Sequence, residues 1–174
     1  IPRVDTDYKN QTLKVLKENI AINKCQDKVH VEEMAVDKEA GSANFFIHQT
    51  VGGRGNTLVQ NAKLGMTSSS YVVKVTSVDL FVKEKGIEVD CIKIDAEGAE
   101  LGVLKGAAET IKKRKPVILL SMHPEPIQSR GDSITEIWDL LQQFGYKVLL
   151  DGNEMDKNSF CNSTDLFDVH LVSR

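Results

Sequence analysis

The stretch Val89-Asp90-Cys91-Ile92-Lys93-Ile94-Asp95-Ala96-Glu97-Gly98-Ala99-Glu100 decides how the chain is read. Val89 to Asp95 has the apolar and β-branched content of a strand. After Gly98, Leu101, Leu104, Ala108 and Ile111 recur at helical spacing. A strand feeding directly into a helix is the repeating step of an α/β sheet. A central parallel strand is normally apolar on both faces, yet Lys93 and Asp95, two apart, point to one face of this one. Asp95 falls at the strand's carboxyl end, the edge at which open α/β sheets bind ligands. Glu97 and Glu100 follow at the helix start, where the macrodipole favours acidic groups. Two readings stay open: Lys93 and Asp95 form a buried pair while the glutamates only stabilise the helix terminus, or the carboxylates do chemistry.

Working outward, the same alternation continues on both sides. Pro116 stops the helix, which is expected to kink at Gly106, and Val117 to Met122 reads as the next strand. Ser133 and Glu136 form a capping box for a helix carrying Ile137, Leu140, Leu141 and Phe144 on one face and ending at Gly145. Tyr146 to Leu150 and Phe167 to Ser173 read as two closing strands with no helix between them, hence an antiparallel pair at one edge. Upstream, Leu13, Leu16 and Ile20 mark an amphipathic helix from about Asn10 to Asn23. Val29 to Val36, Ala43 to His48 and Tyr71 to Val75 read as strands, and Thr76 with Asp79 as a capping box for a helix closed by Gly86. The residues between 50 and 70 read as a long loop. Its run Gly52, Gly53, Arg54, Gly55 has no strand before it and no helix start behind it, so it is a mobile loop or lid and not a phosphate cradle.

The 174 residues amount to one domain with a single core. Hydrophobic residues make up 41% and charged residues 27%, and 22 basic against 25 acidic residues leave a net charge of −3. That balance lacks the basic stripe of a nucleic-acid binder. The one basic cluster, Lys112 to Lys115, sits where a helix ends and is explained by the helix dipole. No run is long and apolar enough for a membrane span. Cys25, Cys91 and Cys161 are odd in number and widely spaced, which points to neither a disulfide framework nor a metal ligand set, and makes a reducing, cytoplasmic location the default.

The run Ile92 to Glu100, IKIDAEGAE, continued by Leu101, Val103, Leu104, Lys105, Gly106 and Ala107, resembles the signature of the FkbM family of S-adenosylmethionine-dependent methyltransferases. Leu16 to Asn23, Met34 to Val36 and Val75 to Leu80, with Asp79 at an acidic position of the family, extend the resemblance over nearly the whole chain, thinly after residue 125. It implies a Rossmann-like class I methyltransferase sheet with helices on both faces. It further implies S-adenosylmethionine as cofactor and O-methylation of a hydroxyl on a small molecule or glycan. Asp95 is then the residue beside the reacting centre, Glu97 or His123 the base, and Glu33, Met34 and Ala35 the adenine site. A lone histidine at a strand end is equally well a structural residue.

The chain also departs from that pattern. Class I methyltransferases carry a glycine-rich loop after their first strand and an acidic residue at the end of the second, whereas this chain has no glycine before Gly41. By register with the following helix, Asp7 lies nearest the acidic position, with Asp5 the alternative, where a carboxylate accepts hydrogen bonds from both ribose hydroxyls. Ser121 stands where the family has a glutamate. The expectation is an N-terminally truncated sheet, the C-terminal portion of a longer protein, in which a second copy of the chain or a remodelled fold covers the missing strand. Such a chain is expected to bind its cofactor poorly, and a non-catalytic methyltransferase-like interaction module is the alternative function.

Overall fold

A computed structural model describes residues 6–47, Leu58 and 69–174, with the backbone alone for residues 6–11, 47 and 69. In chain order the elements are α1 (Thr6–Ile22), β1 (Ala35–Val36), β2 (Gly41–Ile47), β3 (Ser69–Thr76), α2 (Val78–Lys85), β4 (Cys91–Ile94), α3 (Glu100–Gly106) and α4 (Ala108–Arg114). They continue with β5 (Val117–Met122), α5 (Pro124–Ser129), α6 (Ile134–Gln143), β6 (Tyr146–Leu150), β7 (Asn153–Glu154), α7 (Lys157–Asn162) and β8 (Phe167–Ser173).

The strands form two sheets. The first has the order β1-β3-β2, and the second the order β4-β5-β8-β6-β7. In the second, β4 and β5 run parallel with Ile94 opposite Leu120, while β8 lies antiparallel to both β5 and β6. The closing strands thus pair as the sequence leads one to expect. Among the described residues β4 pairs on one side only, and its open edge faces the small sheet.

Packing explains the choice of residues. Leu104 and Ile111 from α3 and α4, Ile118 and Leu120 from β5, Ile137 and Leu141 from α6, and Val169 and Leu171 from β8 are all essentially inaccessible to water. Each fully buried aliphatic side chain contributes about 1.5–3 kcal/mol of hydrophobic transfer, and conformational entropy offsets most of the sum. The stripe on α6 follows the i, i+3, i+4 spacing, and Ser133 caps its start by accepting from the Glu136 amide at 3.3 Å. The Tyr146 phenol donates to the Pro116 carbonyl, tying β6 to the turn before β5, and burial pushes its pKa up to about 12.

Several local expectations need correcting. The first helix starts at Thr6, not near Asn10, so Asp7 lies within a helix and not at a strand end. Asp5, the loop glycines Gly52 to Gly55 and His48 fall outside the described residues. Only Ala35 and Val36 of the expected Val29–Val36 strand are paired, with Val75 and Thr76 of β3. The helix after Thr76 is capped by Ser77, whose hydroxyl accepts from the Leu80 amide. Asp79 instead accepts from the Glu109 and Thr110 amides at 3.0 and 2.8 Å, which caps α4 from another helix. That satisfies amides exposed where the α3–α4 helix breaks, at Ala107 and not at Gly106. A helix does lie between the closing strands: Asp156 caps α7 through Ser159, and Phe160 buries it against the core. The short α5, with Pro124 at its first position as the available signal, and the two-residue strand β7 are the other elements missed.

The segment after β1 crosses α3 at very close range. A methyl group added at Gly106 would meet the Asp37 carbonyl and approach Lys38 Cα to 3.1 Å, and one added at Gly102 would run into the Asp37 carboxylate. An ordinary helical Gly→Ala change stabilises by about 0.5–1 kcal/mol. Here the obstacle at Gly106 is backbone, which cannot swing aside, so the sign should reverse. Gly106→Ala is expected to lower unfolding free energy by about 1–3 kcal/mol, as overpacking does, measured by urea denaturation. An unchanged or raised midpoint would show that this contact is looser than described.

Candidate functional site

Parallel register brings the carboxyl ends of β4 and β5 to one edge, so Asp95, just past β4, and His123, just past β5, meet there. Between β4 and α3 the chain turns through two left-handed residues, Glu97 (φ 47°) and Gly98 (φ 105°). Glycine takes this conformation freely, whereas for Glu97 it costs roughly 1–2 kcal/mol. The turn sends Glu97 back toward His123 and lets α3 begin at Glu100.

Glu100 has no exposed surface, and the His123 side chain is 6% exposed. Glu100 Oε1 accepts from the Gly98 amide at 3.1 Å and from His123 Nδ1 at 2.8 Å. That bond leaves His123 Nε2 facing two further carboxylates, Glu97 Oε2 at 3.5 Å and Asp95 Oδ1 at 3.7 Å. Burial alone would push the imidazole pKa down. The hydrogen bond to Glu100 and the charges of Glu100, Glu97 and Asp95 more than reverse this, so it stands above its ordinary 6.5. Asp95, Glu97 and His123 offer one ligating atom each, all within 4.8 Å of one another. All three proposed catalytic residues are therefore brought together.

Lys93 and Asp95 do pair, at 2.6 Å, but with side chains 62% and 45% exposed. This is a surface pair and not the buried one weighed from the sequence, and such pairs contribute about 0–1 kcal/mol. The buried member of the cluster is Glu100, which the sequence presents only as a helix-start acid. The signal available is position: a first-turn carboxylate directly before the apolar Leu101, Val103 and Leu104 of a short helix that is buried except at Lys105.

The residues expected at the adenine site divide. A cleft of about 490 Å³ opens between the two sheets, lined by Ala35 and Val36 on one side and by Ile92 to Ala96, Ala99 and Val103 on the other. Ala35 and Asp95 thus share it. Glu33 and Met34 do not line it; Glu33 is exposed and lies 3.6 Å from Lys17 of α1. Asp7 sits in the first turn of α1. Ser121 donates to Asp168 at 2.6 Å, fastening β5 to β8. The three cysteines are free thiols, and among the described residues no helix is long and apolar enough to cross a membrane.

Comparison with known proteins agrees with this architecture. A family model described as the methyltransferase FkbM domain matches residues 3–148. No curated protein matches the chain. Among solved structures, the crystal structure of a methyltransferase FkbM from Methylobacillus flagellatus KT is similar, with a TM-score of 0.51 and 18% sequence identity over 92% of this chain. The chain spans 32% of the length of that protein. At such identity the likeness speaks for the fold, an α/β arrangement of the Rossmann-like type.

The charge of Glu100 should be what holds the proton on His123. Glu100→Gln keeps the shape and removes the charge, and an NMR titration of His123 should show its pKa lowered; an unchanged value would contradict the assignment. The raised value also carries a sign for stability. The folded chain keeps this proton to a higher pH than the unfolded chain does. The pair's contribution is therefore complete below about pH 6.5 and is lost as pH rises through the folded value.

Proposed function

The chain belongs to the FkbM methyltransferase domain family, and from that premise we propose that it transfers a methyl group from S-adenosylmethionine to a hydroxyl oxygen of a small molecule or glycan. One observation carries the reading: Asp95 lines the cleft between the sheets and at the same time belongs to the cluster with Glu97 and His123.

The lining of the cleft suits the adenine end of the cofactor, although Glu33 and Met34 do not contribute to it. At about 490 Å³ the cleft lies within the roughly 300–1,000 Å³ typical of small-molecule sites. Ala35, Val36, Ala96 and Val103 offer apolar surface for a purine ring, and Asp95 offers a negative charge for a cationic or hydroxyl-bearing group. When bound, the cofactor supplies a methyl group on a cationic sulfur. Ala35, Val36 and Asp95 are the residues that would hold it.

Displacement at a methyl carbon is in-line, so the chain's main task is alignment, and its second is to take up the hydroxyl proton. The Asp95–Glu97–His123 cluster supplies the place for that proton. Its three side chains converge on one point, and Glu100 fixes the imidazole that faces it. Lys93 turns Asp95 by holding Oδ2, which leaves Oδ1 toward the cluster.

Because Asp95 is largely exposed, Asp95→Asn should leave the fold intact while removing the charge that joins cleft and cluster. With methyl-labelled S-adenosylmethionine and a panel of hydroxyl-bearing acceptors, label transfer should fall by about 10²-fold or more, the usual scale for losing an acid–base or positioning group. Full turnover in the variant would displace the reacting centre from Asp95. Absence of any heat of binding at millimolar cofactor would remove the methyl-transfer reading itself.

A further inference from the structure

The separations within the cluster are unsuited to hydrogen bonding. His123 Nε2 lies 3.5 Å from Glu97 Oε2 and 3.7 Å from Asp95 Oδ1, beyond the roughly 2.7–3.2 Å of an N–H···O bond. Among the described residues this nitrogen makes no hydrogen bond, although its ring is 94% buried and aimed at the gap between the two carboxylates. Two atoms each about 2.1 Å from one ion stand roughly 3.0 Å apart at octahedral angles and 3.4 Å at tetrahedral ones. The two spacings to His123 lie slightly beyond the tetrahedral value, so a small shift of the exposed carboxylates would bring all three onto one ion.

We propose that Asp95, Glu97 and His123 bind a first-row divalent cation. The second layer of such a site is already in place. A ligating histidine ordinarily donates its other ring N–H to a carboxylate, which fixes the ring and strengthens the ligand; here Nδ1 donates to Glu100. Three carboxylates, Asp95, Glu97 and Glu100, gather around the His123 ring, and Glu100 Oε2 has no hydrogen-bond partner among the described residues. A divalent ion between Asp95, Glu97 and His123 would add positive charge where these carboxylates converge.

Two oxygens and one imidazole nitrogen favour Mn2+, Fe2+ or Zn2+ over Mg2+ or Ca2+, which prefer oxygen alone. Three protein ligands leave the rest of the shell open, and Asp95 also lines the cleft, so an oxygen of a bound molecule can complete it. Identifying that oxygen as the acceptor hydroxyl, made more acidic by the ion, rests on the methyl-transfer reading; the binding of the ion does not.

Mn2+ is the probe to use, because Zn2+ would also be taken up by thiols such as the exposed Cys91. Titration of Mn2+ into chelator-treated protein, followed by calorimetry and water-proton relaxation, should show one ion per chain. Asp95→Asn and Glu97→Gln, both at partly exposed positions, should each weaken binding at least tenfold. Glu100→Gln, acting through His123, should weaken it about tenfold, and the exposed Glu84→Gln should leave it unchanged. No binding at millimolar Mn2+, or binding that survives all three site variants, overturns the proposal. Mn2+ bound with that pattern while S-adenosylmethionine fails to bind upholds the metal site and counts only against methyl transfer.

Discussion

The hydrogen bond from His123 to Glu100 joins the two strand ends on which the site is built. Glu100 opens α3 and His123 closes β5, and both are buried where neither would be stable alone. Removing one partner of such a pair typically costs about 3–5 kcal/mol, because the other is left uncompensated in a dry environment. The bond also decides orientation. With Nδ1 committed to Glu100, Nε2 points outward, and the left-handed turn at Glu97 and Gly98 brings a second carboxylate to meet it. Structure and chemistry at this edge thus share one constraint: the turn after β4 must be tight enough to place Glu100 under His123.

The cleft follows from the way the strands divide. β4 uses only one of its edges among the described residues, and the small sheet of β1, β3 and β2 stands across from the other. Apolar residues from β1, β4 and α3 line the space between, and the segment after β1 is anchored on α3 through the close approach of Asp37 to Gly102 and Gly106. Arg130 pairs with Asp37 from the far end of α5, adding a second attachment. Asp95 stands where this cleft reaches the buried cluster, which is why one side chain serves both.

Much of this was legible in the sequence. The strand–turn–helix step at residues 89–107, the closing antiparallel pair, the Ser133 cap and the place of Asp95 at a strand's carboxyl edge follow from local pattern, while Glu97 and His123 were joined to Asp95 by the resemblance. What was not legible is non-local. No periodicity shows that Asp79 caps a helix thirty residues on, since that bond depends on how α2 and α4 pack. A buried Lys93–Asp95 pair stays one of two readings from the sequence because a central strand is usually covered; β4 lies at the open side of its sheet, and the pair is wet. Glu100 looked like a surface helix-start acid because local sequence cannot say which first-turn carboxylate turns inward. Glu33 and Met34 are implied as adenine residues by the resemblance, but of that trio only Ala35 lines the cleft, while Glu33 turns toward Lys17.

The proposed cofactor site is the cleft between the two sheets, with Asp95 at its edge. The most direct measurement is a chemical-shift map of the isotope-labelled protein titrated with S-adenosylmethionine. The account predicts shifts concentrated at Ala35, Val36 and the residues from Ile94 to Ala99, extending to His123. Saturable shifts confined to the surface around Lys17 and Glu33, with those residues unmoved, would contradict it.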